Sequence, residues 1–171
     1  MSEKRHLRWA VLGTGVIANE MAQALRSMGR TLDAVGNRTH EKAEAFAEKY
    51  GIPKVYGDYH EMFSDPEIDA VYITTPHNTH IAFLEEALSH GKHVLCEKSI
   101  TLNSAELERA QKLAEENRAV LAEAMTIYHM PLYRELIRRV RAGELGRVNL
   151  IQLNFGSFKP YDMTNRFFSR S

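Results

Sequence analysis

Residues 7–12, Leu7-Arg8-Trp9-Ala10-Val11-Leu12, run directly into Gly13-Thr14-Gly15-Val16-Ile17-Ala18, and the reading of this stretch decides the fold. An apolar run, a glycine turn and an amphipathic segment in that order predict strand, tight turn and helix. Gly13 would permit the turn, Gly15 would let backbone approach a diphosphate, and the small Ala18 would let helix and sheet pack closely. Val16 and Ile17 would open the helix, where free amides and a partial positive charge favour an anion. A glycine-rich turn after a strand also occurs as plain structure, so the hexapeptide needs its context.

That context is a repeating alternation of short apolar runs and amphipathic stretches, the pattern of βαβ units. Strands are predicted at 7–12, 31–36, 54–56, 68–74, 93–96 and 119–122. The first helix would place Ile17, Met21, Leu25 and Met28 on one face and stop at Gly29. A charged, Ala-rich helix over 41–50 closes at Gly51, and Asp58 can cap the turn that follows the third strand. A helix over 79–89 closes at Gly91. Asn103 or Ser104 caps a long helix with Leu107, Ala110 and Leu113 toward the sheet. Six strands with helices between them predict an α/β fold with a doubly wound parallel sheet of the Rossmann dinucleotide-binding type. This domain is expected to span 1–124. Beyond it, Leu132, Leu136, Ile137 and Val140 mark one more helix ending near Gly143 and Gly146. Residues 148–155 read as an extended segment with Ile151, Leu153 and Phe155 on one face, and 156–171 show no period. Residues 125–171 are accordingly expected to be a connecting helix and only the beginning of a second α+β domain.

Composition narrows the partners. Lys plus Arg number 22 and Asp plus Glu number 22, so no net field draws the chain to nucleic acid or a membrane surface. No apolar run reaches the roughly 18 residues of a membrane span, and 1–8 is charged, which reads as cytoplasmic. A single cysteine, Cys96, leaves no internal disulfide and no Cys-rich metal site; it reads as a buried strand residue. A small molecule is the expected partner.

The end of the second strand bears on the choice of dinucleotide. An acid there would hold the ribose 2′-hydroxyl of NAD, but the sequence reads Asn37-Arg38-Thr39. Asp33 lies at the strand's other end. Arg38 can pair with a 2′-phosphate, which favours NADP over NAD; its plain alternative is a solvated surface residue.

Two further stretches fall at strand ends, where ligands lie in open α/β sheets. In Thr74-Thr75-Pro76-His77-Asn78-Thr79-His80, Pro76 restricts Thr75 and helps set a helix start, while Thr75 and Asn78 can hydrogen-bond a ligand. His77 and His80 stand at i, i+3, but no third ligand is near, so no metal site is expected. His80 reads as a polar wall or a helix cap. In Cys96-Glu97-Lys98-Ser99, a lysine beside a nicotinamide ring could handle the proton that leaves or joins a hydroxyl during hydride transfer. An exposed Glu-Lys pair is the competing reading of the same residues.

Taken together, Gly13-Thr14-Gly15-Val16-Ile17-Ala18, Asn37-Arg38, Thr75-Pro76-His77-Asn78-Thr79-His80 and Glu97-Lys98 resemble the Gfo/Idh/MocA oxidoreductase family. So do Lys42-Ala43-Glu44-Ala45-Phe46-Ala47, Glu123-Ala124-Met125 and Gly143-Glu144-Leu145-Gly146-Arg147-Val148, which extend the likeness over 7–155. The resemblance implies that Gly13, Gly15, Val16 and Ile17 hold the pyrophosphate and Arg38 the adenosine end. It implies that Thr75, Pro76, Asn78 and His80 line the nicotinamide side, that Glu97 sits by the nicotinamide ribose, and that Lys98 handles the proton. Family substrates are mostly sugars, cyclitols and related polyols or diols. Two positions depart from the pattern. Ser99 stands where the family reads Glu-Lys-Pro, which leaves the Lys98–Ser99 peptide open to either isomer, and Tyr128 stands where an Arg is often found. Relatives also carry a second domain with an Asp and a His that complete the catalytic group, and its sheet often forms a homo-oligomer interface. Cofactor binding with little turnover is therefore expected of residues 1–171 alone. Other readings are a dinucleotide-sensing regulatory module of the same fold, and an enzyme that uses bound NAD as a transient redox catalyst.

Overall fold

The computed structural model describes residues 6–154 and 156. The chain divides into two compact units, 1–126 and 127–171. In the first unit the alternation seen in the sequence becomes β1 (Trp9–Leu12), α1 (Val16–Ser27), β2 (Ala34–Gly36), α2 (His40–Tyr50), β3 (Lys54–Tyr56) and α3 (Tyr59–Ser64). It continues through β4 (Ala70–Ile73), a 3-10 turn (His77–Thr79), α4 (His80–Ser89), β5 (His93–Cys96), α5 (Ser104–Glu116) and β6 (Leu121–Glu123). The six strands form one parallel sheet in the order β3-β2-β1-β4-β5-β6, which is the doubly wound arrangement expected.

Side chains alternate across a strand, so each strand feeds two cores. Ala10, Leu12, Ala34, Val71, Ile73, Val94 and Cys96 face one side, with Leu84, Leu88 and Ala110 packed over them. Val11, Val35 and Tyr72 face the other, under Ala18, Ala22, Leu25, Ala43 and Phe46. A sheet covered on both faces explains why its central strands read as continuous apolar runs.

Side chains also account for where elements begin. The Asp33 carboxylate accepts the Trp9 amide at 2.8 Å, and Asp69 accepts both the Arg8 amide and its guanidinium. These polar contacts occupy strand-edge positions, and β2 and β4 start just after them, later than the hydrophobic pattern indicates. Asp58 caps α3 by accepting from the His60 amide. Asn103 caps α5 by accepting from the Glu106 amide at 2.9 Å, while the Glu106 carboxylate accepts from the Leu102 amide one residue before the cap.

The inward face of α1 differs from the expected one. Ala18, Ala22 and Leu25 are buried, whereas Ile17 is 36% and Met28 63% exposed. Close approach of helix to sheet selects small side chains at the contact, so the alanines take the inner face.

In the second unit, α6 (Pro131–Arg141) carries Pro131 at its first position and Arg138, Arg139 and Arg141 in its last turn, matching the helix-end preferences for both residue types. Glu135 pairs with Arg138 and Arg139. Residues 148–154 form no strand, and Leu150, Ile151 and Leu153 are all exposed. Alternation alone makes no strand without a neighbour to accept its ladder of hydrogen bonds. Phe155 lies outside the described residues.

Candidate cofactor site

The strand order places β1 between β2 and β4, and chain connections leave β1 and β4 on opposite sides of that junction. This is the topological switch point where open α/β sheets bind ligands. A cleft of about 530 Å³ lies there, lined by Gly13, Thr14 and Gly15 after β1, Asn37, Arg38 and Thr39 after β2, and Thr74, Thr75 and Pro76 after β4. Leu12, Lys42, Tyr59, Thr79 and Phe83 also line it.

Gly13 has φ +107°, a region nearly closed to side chains. Its amide donates to the Gly36 carbonyl at 2.8 Å, tying the turn to β2. Thr74 donates twice to the Leu12 carbonyl, from its amide and its hydroxyl, both at 2.9 Å, tying the same turn to β4. Gly15 is the residue before α1 and supplies no side-chain cap. Apart from its chain neighbours, no atom of the described residues lies within 4 Å of where its Cβ would stand. The first amides of α1, at Val16 and Ile17, are thus left open at a helix tip. A diphosphate fits this arrangement: acceptor oxygens are what such a tip lacks.

At the end of β2, the Asn37 amide nitrogen donates to the Thr39 carbonyl at 3.0 Å, shaping the loop that presents Arg38. Among the described residues that line it none is acidic, and two, Arg38 and Lys42, are cationic. Neither makes an ion pair among the described residues. Lys42 has no place in the sequence-derived site, although a signal exists: a cation in the first turn of α2 opposes the usual preference for acids there. Asp33 lies at the far end of β2, bonded to Trp9.

The lysine segment is held from three sides. His77 Nε2 bonds the Lys98 carbonyl at 2.8 Å, His80 Nδ1 bonds the Ser99 carbonyl at 3.0 Å, and the Ile100 amide donates to Glu123 Oε1 at 3.0 Å. His80 is fully buried and its Nε2 bonds the Thr75 carbonyl at 2.9 Å. Its imidazole therefore braces the loop after β4 against the loop after β5 from behind. The Lys98–Ser99 peptide is cis. Glu97 does not pair with its neighbour's ammonium: its Oε1 accepts from the Tyr72 hydroxyl at 2.7 Å and its Oε2 from the Lys98 backbone amide at 3.3 Å. Lys98 is exposed, and its ammonium has no ion-pair partner among the described residues.

Of the residues singled out in the sequence, Gly13, Gly15, Asn37, Arg38, Thr75 and Pro76 line the cleft together. Val16, Ile17 and Asn78 are not among its lining residues, nor are Glu97 and Lys98 on the β5 loop, and His80 is interior. The bracing roles of His77, His80 and Glu123 depend on distances between separate strand ends and had no local signature. Cys96 is fully buried, and burial pushes its thiol up to about 12, which leaves it protonated and inert. Among the described residues no helix is long and apolar enough to cross a membrane.

Comparison with known proteins agrees with this geometry. A family model described as an oxidoreductase family with an NAD-binding Rossmann fold, GFO_IDH_MocA, matches residues 7–125. The chain is 36% identical over 148 residues to an uncharacterized oxidoreductase of Rhizobium meliloti, covering 85% of this chain and 44% of that protein. It is 37% identical over 154 residues to trans-1,2-dihydrobenzene-1,2-diol dehydrogenase of Sus scrofa, covering 88% and 46%. Among solved structures, a putative myo-inositol dehydrogenase from Sinorhizobium meliloti superposes with a TM-score of 0.75 at 28% identity, covering 82% of this chain and 43% of that one. A 3-ketoreductase from Actinomadura kijaniata in complex with NADP and TDP-benzene gives 0.74 at 28% identity, covering 81% and 43%. The chain thus spans less than half the length of the curated relatives it matches. With the sheet order, the glycine turn and the matched residues in agreement, the chain belongs to the GFO_IDH_MocA oxidoreductase family and carries its NAD-binding Rossmann fold.

Proposed function

We propose that this chain provides the nicotinamide-dinucleotide site of an oxidoreductase acting on a sugar, cyclitol or diol-like small molecule. The observation that carries the proposal is the open tip of α1 beside Gly15, facing a cleft at the sheet's switch point. When bound, the nicotinamide ring supplies or takes up a hydride. Gly13 and Gly15, with the amides of Val16 and Ile17, hold the diphosphate; Thr75, Pro76 and Asn78 wall the nicotinamide side, with His80 bracing them. Glu97 binds the nicotinamide ribose, and Lys98 gives or takes the proton on the substrate oxygen. A lysine ammonium with no carboxylate partner among the described residues suits that work, and it favours an enzyme over a purely sensing module. The cofactor site falls within 1–124, and 125–171 connect it to the substrate-binding part of the protein, which forms a homo-oligomer.

NADP is the favoured dinucleotide, with NAD second. Arg38 and Lys42 supply positive charge at the end of β2, where an NAD site carries an acid. The names of the relatives support the substrate class, and the NADP complex of one structural neighbour supports the cofactor.

The test is a fluorescence titration of the chain with NADPH and NADH. NADPH should bind more tightly, and Arg38→Ala and Lys42→Ala should each weaken NADPH about tenfold while changing NADH less than about threefold. Absence of binding by either dinucleotide at millimolar concentration removes the proposal; tighter binding of NADH removes the NADP preference alone.

A further inference from the structure

We infer that Tyr72 is a positioning residue whose hydroxyl sets the Glu97 carboxylate for the nicotinamide ribose and keeps it off the Lys98 ammonium; the inference rests on the cofactor reading above. Tyr72 lies in β4, in register with Val11 of β1 on one side and Leu95 of β5 on the other. It is 5% exposed and belongs to the apolar core beneath α1. Phenylalanine would fill the same space, and a hydroxyl there costs stability unless it is bonded. The bond it makes is the 2.7 Å contact to Glu97 Oε1. Burial, reinforced by the Glu97 charge, pushes the Tyr72 phenol well above its ordinary range, so it remains a donor at every pH at which the protein works.

The consequence falls on the β5 loop. With Oε1 bonded to Tyr72 and Oε2 to the Lys98 amide, the carboxylate is fixed in orientation and makes no pair with the adjacent ammonium. Each carboxylate oxygen can accept a second hydrogen bond, which leaves room for a ribose hydroxyl. A carboxylate without the tyrosine would be free to rotate and to pair with Lys98, spoiling both groups at once. Tyr72 touches neither cofactor nor substrate in this scheme; it acts through Glu97.

The experiment compares the wild-type chain, Tyr72→Phe, Glu97→Ala and the double variant, each titrated with NADPH and with 2′,5′-ADP, which has no nicotinamide ribose. Tyr72→Phe should weaken NADPH about five- to tenfold and leave 2′,5′-ADP unchanged, and it should add nothing once Glu97 is alanine. A merely structural tyrosine would weaken both ligands alike, or weaken NADPH equally in the Glu97→Ala background; either result overturns the inference, as does an unchanged NADPH affinity. Should Tyr72→Phe fail to fold, the hydroxyl-proton NMR signal of Tyr72 in the wild-type chain decides. It should vanish in Glu97→Ala and shift with NADPH but not with 2′,5′-ADP, and a signal indifferent to both overturns the inference. If the wild-type chain binds neither these ligands nor NADH, the cofactor reading itself fails and the inference with it. If it binds NADH alone, the same variants are compared with NADH and ADP; if it binds the ligands and the variants do not discriminate, only the role of Tyr72 fails.

Discussion

Thr74 Oγ1 stands 2.5 Å from the position a Cβ would take on Gly13. The first glycine is therefore barred from carrying a side chain twice over, by its φ of +107° and by its neighbour on β4. Thr74 is not free to yield, because its hydroxyl is bonded to the Leu12 carbonyl. Gly15 is the opposite case: its backbone is extended, and nothing stands near its Cβ position.

The two glycines should separate folding from binding. Gly13→Ala should destabilise the chain by about 1–3 kcal/mol and abolish dinucleotide binding. Gly15→Ala should change stability by less than about 0.5 kcal/mol and still weaken NADPH by roughly tenfold or more, because the new methyl occupies the diphosphate's approach. Chemical denaturation together with NADPH titration reads both. Full NADPH affinity in Gly15→Ala would place the diphosphate elsewhere.

His80 bridges two loops from within the core, so its loss should be felt as stability. His80→Ala leaves the Thr75 and Ser99 carbonyls without their partner and opens a cavity. A loss of about 2–5 kcal/mol is expected. His80→Phe restores volume but not the polar ring nitrogens and should recover only part of it. A phenylalanine variant as stable as wild type in urea would show that packing, and not the polar contacts of the imidazole, holds this site.

Stability should also depend on pH through Asp65. Hydrogen bonds from Lys54, Tyr56 and the Glu67 amide hold its carboxyl well below the usual carboxylate range. A pKa depressed by folding contributes stability that is present above the unfolded value of about 4 and is lost as pH falls toward the folded value. Asp65→Asn should therefore melt lower than wild type at pH 7, and the gap should shrink steadily below about pH 4. A gap that stays constant from pH 7 to pH 2 would contradict the role assigned to this carboxylate.

Much of this architecture was readable from local pattern. All six strands and the five helices among them were visible, since apolar runs punctuated by Gly29, Gly51 and Gly91 carry their own boundaries. The positions of the glycine turn and of Arg38 at strand ends were legible for the same reason. The register of burial on α1 was not, because helical periodicity fits both the Ile17–Met21–Leu25 face and the Ala18–Ala22–Leu25 face. Only the closeness of the sheet chooses between them. The expected strand at 148–155 shows the same limit from the other side. Alternating residues state a preference for β structure, and the preference is idle where no strand among the described residues pairs with them.

By itself, then, the amino-acid order determined the kind of sheet, the place of the turn that leaves a helix tip open, and the family to which these motifs point. These follow from interactions between residues a few positions apart, which survive in any chain carrying the same words. The tertiary structure alone decided that Tyr72 is bonded to Glu97, that His77, His80 and Glu123 converge on three successive residues of one loop, and that Arg38 and Lys42 share a wall with Thr75 and Pro76. Those pairings join strand ends and loops far apart in the chain, and they exist only once the parallel sheet has gathered its carboxyl ends along one edge.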